Sequence, residues 1–143
     1  MKKRIFALLI LLFLVTSFQT KVGLAINKPT QDSEEFRLQD MLMNMLTPYI
    51  EKDLRNYYNS KIVKGFSPIV APWKIEVIET KRVNGFRGFL LQITFEIEPT
   101  DGGHWVPIGK DRMTYEISSG PMIKLINHTH LKTYKLPPEL QNQ

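Results

Sequence analysis

The sequence contains no cysteine, and this absence excludes several kinds of chemistry at once. Disulfide bonds, thiolate metal sites, cysteine nucleophiles and the acylated cysteine of a bacterial lipoprotein all require a thiol. The fold must therefore be stabilised by packing and hydrogen bonds alone.

Long apolar runs are also missing. The longest one, Ile5–Val15, spans eleven residues, whereas a transmembrane helix needs about 20. Three cations at positions 2–4 precede this run, and that order is typical of an export signal. Gly23 and Ala25 are the small residues that processing requires, so the sequence predicts cleavage between Ala25 and Ile26. We therefore expect a protein that is secreted or held on the extracellular face of the cell envelope.

An uncleaved membrane anchor is the alternative for the same segment, but the run is too short to favour it. With cleavage, the chain contacts the membrane only transiently, through its signal. We expect a signal peptide at 1–25, a flexible leader at 26–34, a single domain at 35–138 and a disordered tail at 139–143. An exported chain without disulfides is also compatible with a Gram-positive exterior.

A strong charge of one sign is absent once the signal is removed. The whole chain has 19 Lys and Arg against 14 Asp and Glu, a net charge of +5. Four of these cations lie within 1–25, which holds no acid, so the mature chain has 15 cations against 14 acids and a net charge of +1. No basic block interleaved with aromatic residues remains either. The sequence therefore argues against a nucleic-acid partner.

Apolar residues at helical spacing predict a helix with Asp32 as N-cap and Glu35 in its first turn. Pro48 lacks an amide hydrogen, so we expect a kink there, or a restart in which Thr47 caps a second segment. The expected core stripe, in which the methionines act as filler, consists of Leu38, Met41, Leu42, Met43, Met45, Leu46, Tyr49, Ile50, Leu54, Tyr57 and Tyr58.

Four strands should follow an irregular connection. Trp73–Val77 and Phe89–Ile97 alternate apolar with polar residues and flank the hairpin signal Asn84-Gly85. Met113–Ile117 and Ile123–Lys132 mark two further strands. One helix followed by four antiparallel strands predicts an α+β fold, a roll of the cystatin or nuclear-transport-factor kind in which the helix packs on the sheet.

Several short motifs occur in a fixed order along this domain. They are Thr47-Pro48-Tyr49-Ile50 with Tyr57-Tyr58, Pro72-Trp73, Gly103-His104 through Pro107, Gly109 and Asp111, and His130-Leu131-Lys132-Thr133-Tyr134. In this order and spacing the chain resembles the family catalogued as domain of unknown function 3888, over essentially all of 35–138. The resemblance implies a small exported protein of Gram-positive, mainly spore-forming bacteria, and it implies no catalytic residue or ligand.

His128 and His130 lie on one face of a predicted strand, as two metal ligands would. A third ligand is needed, and nothing in the sequence brings His104, Asp111 or Glu116 to the pair, so we expect neither a metal nor another cofactor. Catalytic motifs such as Gly-x-Ser-x-Gly or His-Glu-x-x-His are missing as well.

Two carboxylates, Glu96 and Glu98, share one face of the second predicted strand. Two neighbouring carboxylates can catalyse the hydrolysis of a glycosidic bond. Their position on the polar side of an amphipathic strand favours simple solvation instead.

Two glycines, Gly103 and Gly109, flank polar residues in the segment that leads to Asp111, where packing alone would favour apolar side chains. We interpret His104, Asp111 and His130 as ligand-binding residues of one surface patch. The sequence thus predicts a secreted or cell-envelope binding module that is not an enzyme and that contacts a peptide, an envelope polymer or another exported protein. A small secreted enzyme, such as a hydrolase, that uses the same three residues is the alternative. A purely structural role, in which Asp111 or His130 ties down a turn, is a further alternative.

Overall fold

The computed structural model of the chain describes residues 30–62, 67–103, 105–120 and 122–138. The predicted signal with its cleavage site, the predicted leader up to residue 29 and the predicted tail lie outside these residues. Among the helices in the described ranges, none combines the length and the apolar character that crossing a membrane requires.

One helix and four strands follow each other in the order that the sequence predicts. The elements are α1 (Glu34–Lys61), a 3₁₀ turn (Pro72–Lys74), β1 (Glu76–Arg82), β2 (Leu91–Ile97), β3 (Gly109–Ser118) and β4 (Met122–Thr133). Each strand pairs antiparallel with its neighbour in the chain, so the sheet order is β1-β2-β3-β4. The α+β class is confirmed, with α1 contributing to one core with the sheet.

Helix α1 begins after Ser33, whose hydroxyl accepts a 3.1 Å hydrogen bond from the amide three residues later. The prediction of Asp32 as N-cap is wrong, because its φ of 56° lies far from the extended backbone that a cap adopts. Pro48 lies inside one continuous helix, so the expected restart is wrong too. The Thr47 hydroxyl does not cap a second segment, since it donates to the carbonyl of Met43 one turn earlier.

The helix buries only part of the broad apolar stripe that the sequence predicts as core. The buried side chains are Met43, Leu46, Ile50, Leu54 and Tyr58. The exposed ones, which the sequence also places in the core, are Leu38, Met41, Met45 and Tyr49. Both lines are apolar at helical spacing, so periodicity alone does not tell which of them the sheet covers.

The core forms where the buried line of α1 meets the inward residues of β2 and β3. Ile93, Phe95 and Ile97 are buried on β2, and Met113 and Tyr115 are buried on β3. Burial alternates along β2 as the sequence predicts. Since neighbouring residues of a strand point to opposite faces, the face of the sheet turned away from α1 carries the polar side chains.

Two aromatic residues that the sequence assigns to strands lie outside them. Trp73 belongs to the 3₁₀ turn and is 72 % exposed, because Pro72 suits the first position of such a turn. Phe89 precedes β2 and is exposed. Asn84-Gly85 does not form a two-residue hairpin turn, because the connection between β1 and β2 extends from residue 83 to residue 90.

Candidate functional site

The first candidate site lies where β3 and β4 pair beside the C-terminal half of α1. Consecutive residues of β3, Lys110 and Asp111, pair with Lys132 and His130, so β4 carries one extra residue between them. In a regular strand, residues three apart point to opposite faces. The extra residue turns His130 and Thr133 to the same face, where Nε2 of the ring lies 2.7 Å from the Thr133 hydroxyl.

Asp111 is the centre of a buried hydrogen-bond network. Its side chain is 0 % exposed. The Tyr58 hydroxyl donates to its Oδ2 at 2.7 Å. The other oxygen, Oδ1, lies 2.8 Å from Nε2 of His128 and 2.9 Å from Nδ1 of His130. One carboxylate therefore joins the helix to two positions of β4.

The electrostatics of the network keep this carboxylate charged. Burial alone would raise the pKa of Asp111, but hydrogen bonds from His128, Tyr58 and His130 outweigh burial and hold the pKa below its ordinary value. Burial, and then the hydrogen bond to Asp111, raises the pKa of Tyr58 far above the ordinary value of a phenol. Because an ionised carboxylate only accepts hydrogen bonds, Nε2 of His128 and Nδ1 of His130 both carry protons.

Aromatic packing and one glycine complete the surroundings of the network. The Tyr57 ring lies with its centroid 4.4 Å from that of His128 and 5.7 Å from that of His130. A Cβ at Gly109 would lie 2.5 Å from the Tyr58 hydroxyl and 3.0 Å from Cε1 of His130. Packing therefore requires the glycine at position 109, which the sequence interpretation had linked to ligand binding.

The structure places two of the three predicted site residues together. Asp111 and His130 are in contact, although Asp111 is inaccessible and can shape a surface only through the histidines it holds. His104 lies outside the described residues. Tyr58 was not among the predicted site residues. Its place in the network depends on tertiary packing, although the burial of Asp111 could be read from the alternation that leads to Met113.

The same geometry bears on metal binding. Both histidines direct protonated nitrogens at one oxygen of Asp111, so these nitrogens have no lone pair to offer a cation. Within the described ranges, no group of three or more His, Asp or Glu side chains is arranged to hold a metal ion.

The network can also be read as a chain of three groups. The Thr133 hydroxyl meets Nε2 of His130, whose Nδ1 meets the carboxylate of Asp111. That is the order of nucleophile, base and orienting acid in hydrolases that form covalent intermediates. Thr133 is exposed, so a reactant can reach its hydroxyl.

The second candidate site is a cleft on the polar face of the sheet, with a volume of about 120 Å³. Its lining residues are Lys74, Glu76, Glu96, Ile97, Glu98 and Lys110. Glu96 pairs with Lys110 at 2.5 Å and with Arg112, and their hydrogen bonds lower its pKa. The interpretation of Glu96 as simply solvated is therefore wrong, because cross-strand neighbours bring these cations to it.

Glu98 lines the cleft, and Trp73 is the neighbour in the chain of another lining residue. The Tyr134 hydroxyl donates to Glu98 at 2.7 Å, and this bond raises the pKa of Tyr134. Trp73 precedes the lining residue Lys74 directly and is mostly exposed. The sequence identifies the carboxylate pair at the end of β2, Glu96 and Glu98, but not the tryptophan, which it assigns to the apolar side of a strand.

Comparison with known proteins identifies a family but no characterised relative. No curated protein and no solved structure matches the chain. One family model, described as a protein of unknown function (DUF3888), matches residues 38–132. The match spans α1 from its second turn to the next-to-last residue of β4, and it includes both candidate sites except for Thr133 and Tyr134. Since it covers well over half of the chain, the protein belongs to the DUF3888 family.

Proposed function

We propose that the protein is an exported binding module that holds a neutral, hydroxyl-rich polymer of the cell envelope and works without catalysis. The observation that carries this proposal is the cleft on the polar face of the sheet, with its carboxylates, its lysines and an exposed tryptophan, Trp73, next to the lining residue Lys74 in the chain. Binding sites are concave surfaces with a few convergent polar groups, and this cleft has that form.

The charges of the cleft compensate each other, which favours a neutral ligand. Glu96 forms ion pairs with Lys110 and Arg112, so its charge is already compensated within the protein. An ionic ligand would have to displace these pairs. A carboxylate offers about four acceptor positions, so Glu98 can accept ligand hydroxyl groups in addition to the bond from Tyr134.

Trp73 supplies the apolar part of such a site. An indole combines a flat apolar face with one N–H donor at its edge. This combination suits a sugar ring, which has an apolar face and hydroxyl groups around its rim. A peptide partner would favour an apolar anchor pocket, whereas Ile97 is the one apolar residue in the lining of this cleft.

Sedimentation of the exported chain with insoluble cell-wall glycan tests the proposal. We expect Trp73→Ala and Glu98→Gln each to lower the bound fraction several-fold with an unchanged melting temperature. Trp105→Ala is the matched control, because it removes the other tryptophan of the chain, which is also exposed but is not next to a lining residue in the chain. Equal losses for the two tryptophans, or no loss for either, would show that the cleft is not the site. Displacement by peptides but not by soluble glycan would reassign the ligand.

Export is the other part of the proposal, and it is supported by the basic start, the short apolar run and the small residues before the cut. N-terminal sequencing of protein recovered from culture supernatant should give Ile26 as the first residue. An intact Met1, or retention of most of the protein in salt-washed membranes, would contradict cleavage.

A second candidate function is hydrolysis, favoured by the hydrogen-bonded chain from Thr133 through His130 to Asp111. It predicts slow turnover of a chromogenic ester that Thr133→Ala abolishes and Thr133→Ser preserves. If the wild type and Thr133→Ala hydrolyse the ester equally, the chain of groups is structural. Binding is the better supported function. Asp111 is buried, and its hydrogen bonds join α1 to β4, so a structural role already accounts for this residue.

A further inference from the structure

The connection between β1 and β2 projects one aromatic side chain into solvent. Phe86 is 95 % exposed, more than any other large hydrophobic residue described. Its neighbours Gly85 and Arg87 both have positive φ, at 81° and 57°. For arginine this is an uncommon backbone conformation, which the surrounding loop must hold in place. The loop thus presents the phenyl ring outward.

Hydrogen bonds fix the shape of this loop. The amide of Val83 donates to the carbonyl of Leu90 at 2.9 Å, and the Arg82 guanidinium donates to the carbonyl of Gly88 at 2.6 Å. A Cβ at Gly88 would lie 2.0 Å from Oδ1 of Asn84, so this position accepts only glycine without rearrangement. The exposure of Phe86 is therefore a property of an ordered loop.

Further apolar side chains lie at the same end of the sheet. Arg82, Leu91, Ile117 and Ile123 form one row across the four strands, so the two hairpin connections both lie beyond this row. Phe89 and Val83 are exposed on the first connection, and Met122 is exposed beside the second. We call Val83, Phe86, Phe89 and Met122 the apolar tip.

The connection between β1 and β2 carries charges of one sign. Residues 80–92 contain three cations, Lys81, Arg82 and Arg87, and no acid. Near the second connection, Lys124 at the start of β4 pairs across the strands with Glu116 of β3, whereas Lys132 and Lys135 lie toward and beyond the opposite end of β4. The acids that line the cleft lie toward the opposite end of the sheet, where β1 begins and β2 ends.

We propose that the apolar tip docks on an anionic lipid surface. Phe86 and Phe89 enter the interfacial layer, and Lys81 and Arg87 face the lipid phosphates. Exposed aromatic side chains on an ordered loop whose charged residues are all cations suit a fluid anionic surface. A protein partner would favour a contiguous apolar patch with a rim of both charge signs. The inference is independent of the proposed polymer site, since that cleft lies at the other end of the sheet.

Tryptophan fluorescence of the full chain tests this docking. The Phe86→Trp variant is mixed with vesicles of phosphatidylglycerol and phosphatidylcholine that carry bromine on their acyl chains. We expect a blue shift and strong quenching of the emission of the introduced indole, weakened by high salt and absent with vesicles of phosphatidylcholine alone. The native tryptophans, Trp73 and Trp105, lie toward the far end of the sheet, so the wild type should show little quenching. The apolar run near the N-terminus holds no tryptophan and is silent in this measurement.

Charge reversal supplies the second arm of the experiment. Arg87→Glu combined with Lys81→Glu, in the Phe86→Trp background, should abolish the quenching. Lys52→Glu on the exposed side of α1 is the matched control and should leave the quenching unchanged. Absent quenching, equal quenching by neutral vesicles, or insensitivity to the double reversal would each overturn the proposal. Loss of light-scattering mass on Phe86→Ser, without any vesicle effect, would show instead that the tip joins two copies of the chain.

Discussion

The phenol of Tyr58 on α1 donates a 2.7 Å hydrogen bond to the carboxylate of Asp111 on β3, 53 residues later in the chain, and both side chains are buried. A second bond of the same kind runs in the opposite direction: Tyr115 on β3 donates to the carboxylate of Asp53 on α1 at 2.7 Å. Two such bonds, one toward each element, fix how α1 is rotated and shifted on the sheet. Their energetic weight can be measured residue by residue.

Removal of the Tyr58 hydroxyl should destabilise the protein without changing its fold. Tyr58→Phe leaves one oxygen of a buried carboxylate without its donor, and a hydrogen bond to a charged group contributes about 1.5–3 kcal/mol. We expect a loss of that size in the free energy of unfolding, measured by urea titration. Tyr49→Phe on the exposed side of α1 is the control and should change it little. Equal effects at the two positions would contradict the structural role of the Tyr58–Asp111 bond.

The glycine beneath this bond should not tolerate a methyl group. In Gly109→Ala the new Cβ would lie 2.5 Å from the Tyr58 hydroxyl and 2.7 Å from the backbone carbonyl oxygen of Lys132. Overpacking of this kind costs about 1–3 kcal/mol. Gly103→Ala is the matched control, because a Cβ at Gly103 meets nothing within 4 Å. A melting temperature that falls as far for Gly103→Ala as for Gly109→Ala would show that close packing is not the reason for the glycine.

The parts of this structure that follow from local periodicity could be predicted from the sequence. The alternation of Ile93, Phe95 and Ile97 establishes a half-buried strand, because only one strand face can meet the core. The rotation of α1 could not be predicted. The line through Met45 is as apolar as the line through Leu46, and the choice between them depends on the tertiary contacts of the sheet.

The candidate sites, too, could be predicted from the sequence only in part. Asp111 could be placed just before one predicted strand and His130 on the next, but the extra residue in β4 that turns Thr133 toward His130 leaves no local mark in the sequence. The bond from Tyr58 depends on how α1 crosses the sheet, which a single sequence does not encode in any short pattern. Pro72 is the local signal that could have moved Trp73 from a strand to an exposed turn.

The assignment of faces on β2 predicts unequal effects for two neighbouring residues. Phe95 is fully buried and stacks with Tyr115, their ring centroids 5.9 Å apart, so Phe95→Ala should cost about 3–5 kcal/mol. Thr94 lies on the opposite face and shares a 2.9 Å hydrogen bond with Thr114. Thr94→Ala should therefore cost about 0.5–1.5 kcal/mol. Chemical denaturation of both variants measures the two losses in unfolding free energy. A larger loss for Thr94→Ala than for Phe95→Ala would mean that the strand faces are reversed.

The lowered pKa of Asp111 makes stability depend on pH in a definite direction. The folded protein binds a proton at this carboxyl less readily than the unfolded chain, in which an aspartate titrates near a pKa of about 3.9. Its contribution is therefore fully present above that value and is lost as the pH falls through the lower folded pKa. In Asp111→Asn this contribution is absent, and the variant should be less stable at neutral pH by about 3–5 kcal/mol, because the donors of Tyr58, His128 and His130 lose a buried charge.

Urea unfolding of the wild type and Asp111→Asn between neutral pH and strong acid measures this dependence. The difference in unfolding free energy between the two proteins should be constant near neutrality and should shrink as the pH falls below that of an ordinary aspartate. Glu96→Gln is the control, since its carboxylate also has a lowered pKa but lies in an exposed pair whose effect on stability solvent screens. If Glu96→Gln removes as much of the acid dependence as Asp111→Asn, the buried network is not its source.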